Sequence, residues 1–340
     1  MKNRIPIMTI LILSIPLFAL LNLTIGSVAI PVNEVFKILF GSEDINADSV
    51  NALIVLKTRL PQTITALVCG AGLSVAGLEM QTVFHNPLAG PSVLGISSAA
   101  SLGVAFVVLL SGSIFGGFMT KFGLIGNTAL TFAAIIGALS VMMLILYLSH
   151  KVESNATLLI IGVMIGYIAS AIIGVLKYFS SEEDIRAYVI WGLGSFGRVT
   201  GGQVYVFAGM MAVILPLTML LAKPLNMLLL GEQYAQNLGL NLQRARMLII
   251  TSAGILVAIV TAYCGPIMFL GLAVPHICRG LFNTADHRVL LPATLFCGAS
   301  LALVCNLISR LPGFEGALPV NSVTALIGAP VALWVLLKRR

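Results

Sequence analysis

The chain predicts an all-α membrane protein of about ten transmembrane helices, and three observations carry that prediction. Only 9% of its 340 residues are Asp, Glu, Lys or Arg, whereas 59% are hydrophobic; a soluble domain carries roughly 25% charged residues. The mean hydropathy of +1.05 agrees. The apolar residues fall in runs of about 20, long enough for a helix rising about 1.5 Å per residue to cross a hydrocarbon core about 30 Å thick. These runs are continuous and lack the apolar/polar alternation of a barrel strand, so the backbone must satisfy its own polar groups inside helices.

The first run, about residues 5 to 25, has the basic start and small-residue end of a signal peptide. Its length, and Pro6 and Pro16 within it, favour an uncleaved first helix. In the loop that follows, Val32, Val35, Phe36 and Leu39 recur at helical spacing, which predicts a short helix lying along the membrane surface. Spans follow at about 62 to 83, 92 to 111, 126 to 148 and 156 to 178. The first of these carries Ala66, Gly70 and Ser74, then Gly72 and Ala76, a small-xxx-small spacing that lets two helix backbones approach closely.

Between 179 and 202, "IRAYVIWGLGSF" is too short to span and too apolar to lie free in water, so a re-entrant or interfacial helix is expected. After a span at about 203 to 222 comes "GEQYAQNLGLNLQRAR", residues 231 to 246, the longest clearly polar stretch of the second half. Here Tyr234, Ala235, Leu238 and Leu242 make a narrow apolar stripe opposite Glu232, Gln233, Gln236 and Asn237. Gly239 is placed to end that short helix in a left-handed cap, and Asn241 to cap the next one. Spans at about 247 to 264, 266 to 283, 289 to 308 and 321 to 337 complete the ten. No linker or charge block divides the chain, so residues 1–340 read as a single transmembrane domain with 231–246 as a cytoplasmic segment within it.

With the amino terminus cytoplasmic, eleven Lys and Arg fall in inside segments against seven outside, a modest positive-inside bias that also places the carboxyl terminus in the cytoplasm. The acids Glu34, Glu43, Asp44, Asp48, Glu182, Glu183, Asp184 and Glu315 all fall outside. The net charge of +7 then reads as a surplus facing membrane lipid, and no nucleic-acid partner is expected.

Enzyme chemistry finds no place. His85, His150, His276 and His287 lie near expected cytoplasmic ends without a triad pattern, and no Walker A sequence is present. The five cysteines sit in or at the ends of apolar runs, with no C-x-x-C pair, so no metal site is expected. An ion-coupled secondary carrier is the alternative class, and it would need ionisable groups deep in the membrane. The main one is Glu79, which reads as a satisfied interface carboxylate about one turn from a helix end. Asn86, Pro87 and Gly95, with Pro266, Pro275 and His276, mark helix breaks of the kind that border a pathway.

Four stretches, "RLPQTITALVCGAGLSVAGLEMQTVFHNPLAGPSVLGISSAASLG" (59–103), "GEQYAQNLGLNLQRAR" (231–246), "GPIMFLGLAVPHICRGLFNTADHRVLLP" (265–292) and "LPVNSVTALIGAPVALWVLLKR" (318–339), together resemble the FecCD-type permeases. These are the membrane subunits of ATP-binding cassette (ABC) importers for ferric siderophores, haem and cobalamin. The resemblance covers essentially the whole chain, with its motifs in order. It implies the type II importer permease fold and a bacterial inner-membrane location. The implied partners are a second permease subunit, with a homodimer the simplest case, two cytoplasmic ATPase subunits that hold ATP and Mg, and an extracytoplasmic substrate-binding protein. No cofactor is expected on this chain itself.

The same resemblance places ATPase coupling on Gly231, Glu232, Ala235, Leu238 and Gly239. It places binding-protein docking on Arg59 and Arg310, assisted by Lys57, since an Arg fork can take a carboxylate in two hydrogen bonds. Three positions depart from the family pattern: Gln62 where many members have Arg, Gly90 where an acid is frequent, and Ala317 where a Glu often precedes "LPV". The expected cargo is a ferric siderophore or haem, with cobalamin as the alternative.

Overall fold

The computed structural model describes residues 4–41, 49–114, 123–152, 154–311 and 318–338, and among these it contains helices and no strand. The acids Glu43, Asp44, Asp48 and Glu315, the bases Lys2, Lys121, Arg339 and Arg340, and Ala317 lie outside the described residues. Among the described residues seven helices are long and apolar enough to cross a membrane. They are α1 (Arg4–Thr24), α4 (Leu60–Val83), α6 (Gly123–Lys151), α7 (Asn155–Tyr178), α9 (Gly202–Met219), α12 (Leu242–Cys264) and α14 (His287–Ser309). Three further apolar helices, α5 (Ile96–Ile114), the 13-residue α13 (Leu270–Phe282) and α15 (Val320–Lys338), stand at the other three expected positions. The short helices α2 (Val32–Phe40), α3 (Val50–Leu53), α8 (Glu182–Gly192), α10 (Ala222–Leu228) and α11 (Glu232–Asn237) occupy the connections, and α3 runs into α4 through a π-helical stretch at Ile54–Arg59.

The expected span at 266 to 283 is shorter in the structure. Gly265, at φ 78°, ends α12, residues 265–268 are not helical, and Phe269 precedes α13 at φ 68°. The 13 residues of α13 rise about 20 Å, less than the thickness of a hydrocarbon core. Pro275, expected at a helix break, lies inside α13 instead, and His276 beside it is buried.

Internal contacts group the chain into two compact units, Met1–Val75 with Ser195–Met219 and Phe269–Arg340, and Ala76–Gly194 with Leu220–Met268. In the first, lipid offers no hydrophobic force to drive helices together, so close packing and polar bonds do the work. The expected small-residue face on α4 meets α14: a Cβ added to Gly70 would lie 2.2 Å from the Gly298 carbonyl oxygen, and one added to Gly298 would lie 2.2 Å from Ser74 Oγ. α1 runs against α14 through buried polar groups. Asn22 Nδ2 donates to the Leu303 carbonyl at 3.0 Å, and Asn306 Nδ2 donates to Asn22 Oδ1 at 2.8 Å. The surface helix α2 turns Val35 and Ile38 into a cluster with Leu23, Ile30, Ala52 and Val55, while Val32 and Phe36 face outward.

The second unit uses the same device without a stretch of sequence that announces it. A Cβ on Gly103 of α5 would lie 2.2 Å from the Ala133 carbonyl of α6, and one on Gly137 of α6 would lie 2.2 Å from the Ala99 carbonyl of α5. Gly95, at φ 74°, lets the chain turn into α5 against Gly162 of α7, whose carbonyl oxygen would sit 2.7 Å from an added Cβ. Tyr188 and Trp191 of α8 are buried, as an interfacial helix requires. The two kinds of helix differ in what they hide. The spans in α4 and α12 are 83% and 72% buried, whereas those in α1 and α7 are each 17% buried and present apolar side chains such as Ile10, Leu13, Ile160 and Ile168 to the surroundings, as helices facing acyl chains must.

Candidate functional site

The polar segment 231–246 folds as its residues dictate. Gly231 enters α11 at φ 98°, a conformation closed to most side chains. At the other end Gly239, at φ 86°, donates its N–H to the Gln236 carbonyl, and Leu240 donates to the Ala235 carbonyl. This pair of bonds satisfies carbonyls that the helix end would leave orphaned. Asn241 Oδ1 then accepts from the Arg244 N–H at 3.0 Å and starts α12.

The apolar stripe divides differently from its expected form. Ala235 is fully buried, but Tyr234 and Leu238 are 69% and 60% exposed. Glu232, expected on the polar face, is turned toward the protein. Its Oε1 accepts from Asn155 Nδ2 of α7 at 2.7 Å and pairs with Arg246 Nη2 of α12 at 3.2 Å. A six-residue helix is too short to be stable alone, and these side-chain ties fix it at its start. Beside it, Ser149, His150, Glu232, Gln236, Gln243 and Arg246 line an open polar cleft of about 760 Å³. α11 is therefore a braced helix that holds out two large apolar side chains, a surface suited to a protein partner.

The docking residues behave unequally. Lys57 is exposed. Arg59, expected to reach a partner, is 1% exposed. Its Nη1 donates to the carbonyls of Leu23 at 2.7 Å and Thr24 at 2.9 Å, and its Nη2 to that of Val28. The π-helical stretch that it ends delivers it there. This Arg holds the loop that follows α1. Arg310, just past α14, is only partly buried, and its Nη1 has no hydrogen-bond partner among the described residues. A Cβ on Gly26 would lie 3.0 Å from Arg59 Nη2 and 3.1 Å from Arg310 Nη2, so the glycine leaves room for two guanidinium groups side by side. Burial, and then the Arg59 charge, pull the Arg310 guanidinium down to about 10. A carboxylate brought to this place would relieve both effects.

Of the helix-break residues, Asn86 and Pro87 follow α4 in a turn, where Asn86 Oδ1 accepts from the Leu88 N–H at 2.9 Å. Pro266 lies in the non-helical stretch after α12. Glu79 is completely buried; its Oε1 accepts from Ser252 Oγ at 2.9 Å, and its Oε2 has no hydrogen-bond partner among the described residues. The residues that the sequence did not mark are the ties: Asn155 and Arg246 to Glu232, Ser252 to Glu79, and His85, whose ring lies 2.9 Å from the Leu228 carbonyl of α10. Their partners lie up to 173 residues away along the chain, and no local pattern signals such bonds.

The sequence profile of the FecCD transport family matches residues 11–338. The chain is 39% identical over 288 residues to the vitamin B12 import system permease protein BtuC of Klebsiella pneumoniae, an alignment that covers 85% of this chain and 83% of that protein. The protein of the same name from Escherichia coli is 39% identical, with 85% of each chain covered. Among solved structures, one of an ABC transporter assigned to the metal-chelate type, in an inward-facing conformation, aligns with a TM-score of 0.83 at 29% identity over 98% of this chain and 99% of its own.

Proposed function

We propose, from the premise that this chain belongs to the FecCD transport family and is the permease subunit of an ABC importer, that it carries cobalamin across the bacterial inner membrane. The observation that carries the choice of cargo is the 39% identity, over 85% of the chain, to permeases of vitamin B12 import systems. A likeness of 98% coverage to a transporter of the metal-chelate type favours a second reading within the same class, in which the cargo is a ferric siderophore or haem.

In this reading a second copy of the chain completes the path, two ATPase subunits bind on the cytoplasmic side, and a substrate-binding protein docks outside. ATP and Mg belong to the ATPases, and this chain does no catalysis. Gly231, Glu232, Ala235, Leu238 and Gly239 form the element that the ATPase grips. Tyr234 and Leu238 enter the ATPase surface, while the Glu232 ties to Asn155 and Arg246 keep α11 from tilting freely. A braced helix passes on a displacement that a loose loop would absorb. When the ATPases close on ATP, the helix moves with them and the permease changes which side its path opens to. Outside, Arg310 and Lys57 receive carboxylates of the binding protein, and Arg59 positions the loop beside them.

The test is uptake by cells that lack the gene. Loss of labelled cobalamin uptake, restored by the wild-type chain, with ferric siderophore and haem uptake intact, supports the cobalamin reading. The opposite pattern replaces it with the second.

A further inference from the structure

The end of α4 holds a residue that its position does not favour. His85 N–H donates to the Thr82 carbonyl at 3.2 Å and Asn86 N–H to the Gln81 carbonyl at 3.1 Å, the bonds of a helix end whose last residue is left-handed. That place suits glycine, because a Cβ there crowds the backbone. The chain does use glycine at the equivalent end of α11, Gly239. At the end of α4 it has His85 at φ 46°. A strained non-glycine residue calls for a reason in its side chain.

The side chain supplies one. His85 Nε2 donates to the Leu228 carbonyl at 2.9 Å, the last residue of α10, three positions before Gly231. Less than two turns earlier on α4, buried Glu79 accepts from Ser252 Oγ of α12 at 2.9 Å. The final turns of α4 therefore hold the helix that enters the 231–246 segment and the helix that leaves it. All these residues belong to one compact unit. The contacts are directional hydrogen bonds, which resist both push and pull, whereas apolar surfaces slide. A carboxyl group buried against a hydroxyl is also a costly way to join two helices if packing were the only purpose.

We infer that His85 is a positioning residue which, with the Glu79–Ser252 bond, latches α4 to the coupling segment, so that displacement of α11 by the ATPase is delivered to α4 and not dissipated at the membrane surface. This rests on the reading of 231–246 as the ATPase-coupling segment.

The experiment measures substrate moved and ATP hydrolysed together, in liposomes holding the complete importer with its ATPase and binding protein. His85→Gly is the informative variant, because glycine suits the left-handed position and should leave the helix end at least as stable. A purely structural His85 predicts an unchanged ratio of substrate to ATP. The latch predicts that the ratio falls about tenfold, the scale of one lost hydrogen bond, while ATP hydrolysis continues. His85→Gln, whose amide can donate to the same carbonyl, restores at least half of the ratio, and Ser252→Ala lowers it. An unchanged ratio in His85→Gly overturns the latch, as does a His85→Gln variant no better than His85→Gly. A wild-type importer that moves nothing on ATP removes the coupling reading and the latch together, which separates that failure from failure of the latch alone.

Discussion

Single residues decide how closely this chain's helices approach and what holds its loops. Gly70 and Gly298 leave no space for a methyl group, so Gly298→Val forces α4 and α14 apart and costs about 1–3 kcal/mol; a lower unfolding midpoint in detergent is the expected result. Arg59→Lys keeps the charge but loses the planar fork that reaches three carbonyls. The loop after α1 then loosens at a cost of about 2 kcal/mol, seen as a lower midpoint and new protease cleavage near residues 24–28. Under the docking proposal Arg310 receives carboxylates of the binding protein, so Arg310→Glu weakens binding-protein affinity in a salt-dependent way. Its guanidinium is pulled down to about 10, and a bound carboxylate favours its charged form. Affinity therefore holds below that value and falls as pH rises through it; a binding titration from pH 7 to 10.5 shows a flat region followed by loss. This residue-level division of labour was only half legible. Both arginines match family positions, but which one turns inward depends on a π-helical turn that no local rule announces.

Among the elements, α11 shows best what sequence can disclose. Its start and its end follow from Gly231, Gly239 and Asn241, all local effects, and the structure reproduces them. What it touches was not legible, because Asn155 and Arg246 meet Glu232 through tertiary folding. Periodicity also could not say that Ala235 is buried while Tyr234 and Leu238 are exposed, since a stripe serves a partner surface as well as a core. Leu238→Asp puts a charge on that exposed surface. Under the coupling proposal it abolishes stimulation of the ATPase while the permease keeps its unfolding midpoint; unchanged stimulation in liposomes removes α11 from the coupling role. α13 marks the opposite case. Its apolar composition resembled a full span, but the positive φ angles at Gly265 and Phe269 unwind the first part, and a proline inside an apolar stretch does not reveal whether the helix breaks there or continues.

For the whole molecule, the order of the apolar helices was legible because a hydrocarbon core sets the length that a spanning helix needs. Among the described residues the apolar helices stand where the hydropathy places them, with α13 starting later than expected. Family membership was legible from motifs spread over the full length. The cargo was not, because a large chelate is carried by shape and access and leaves no ligand set in the sequence to count. The central claim is that ATP hydrolysed by partner subunits drives this permease. It is tested most directly by reconstituting the permease with its ATPase and binding protein, and following entry of labelled cobalamin or ferric chelate with either ATP or an imposed ion gradient as the energy source. The account predicts uptake that requires ATP and the ATPase subunits and persists when the gradient is collapsed. Uptake that continues without any ATPase subunit and follows the gradient would contradict it.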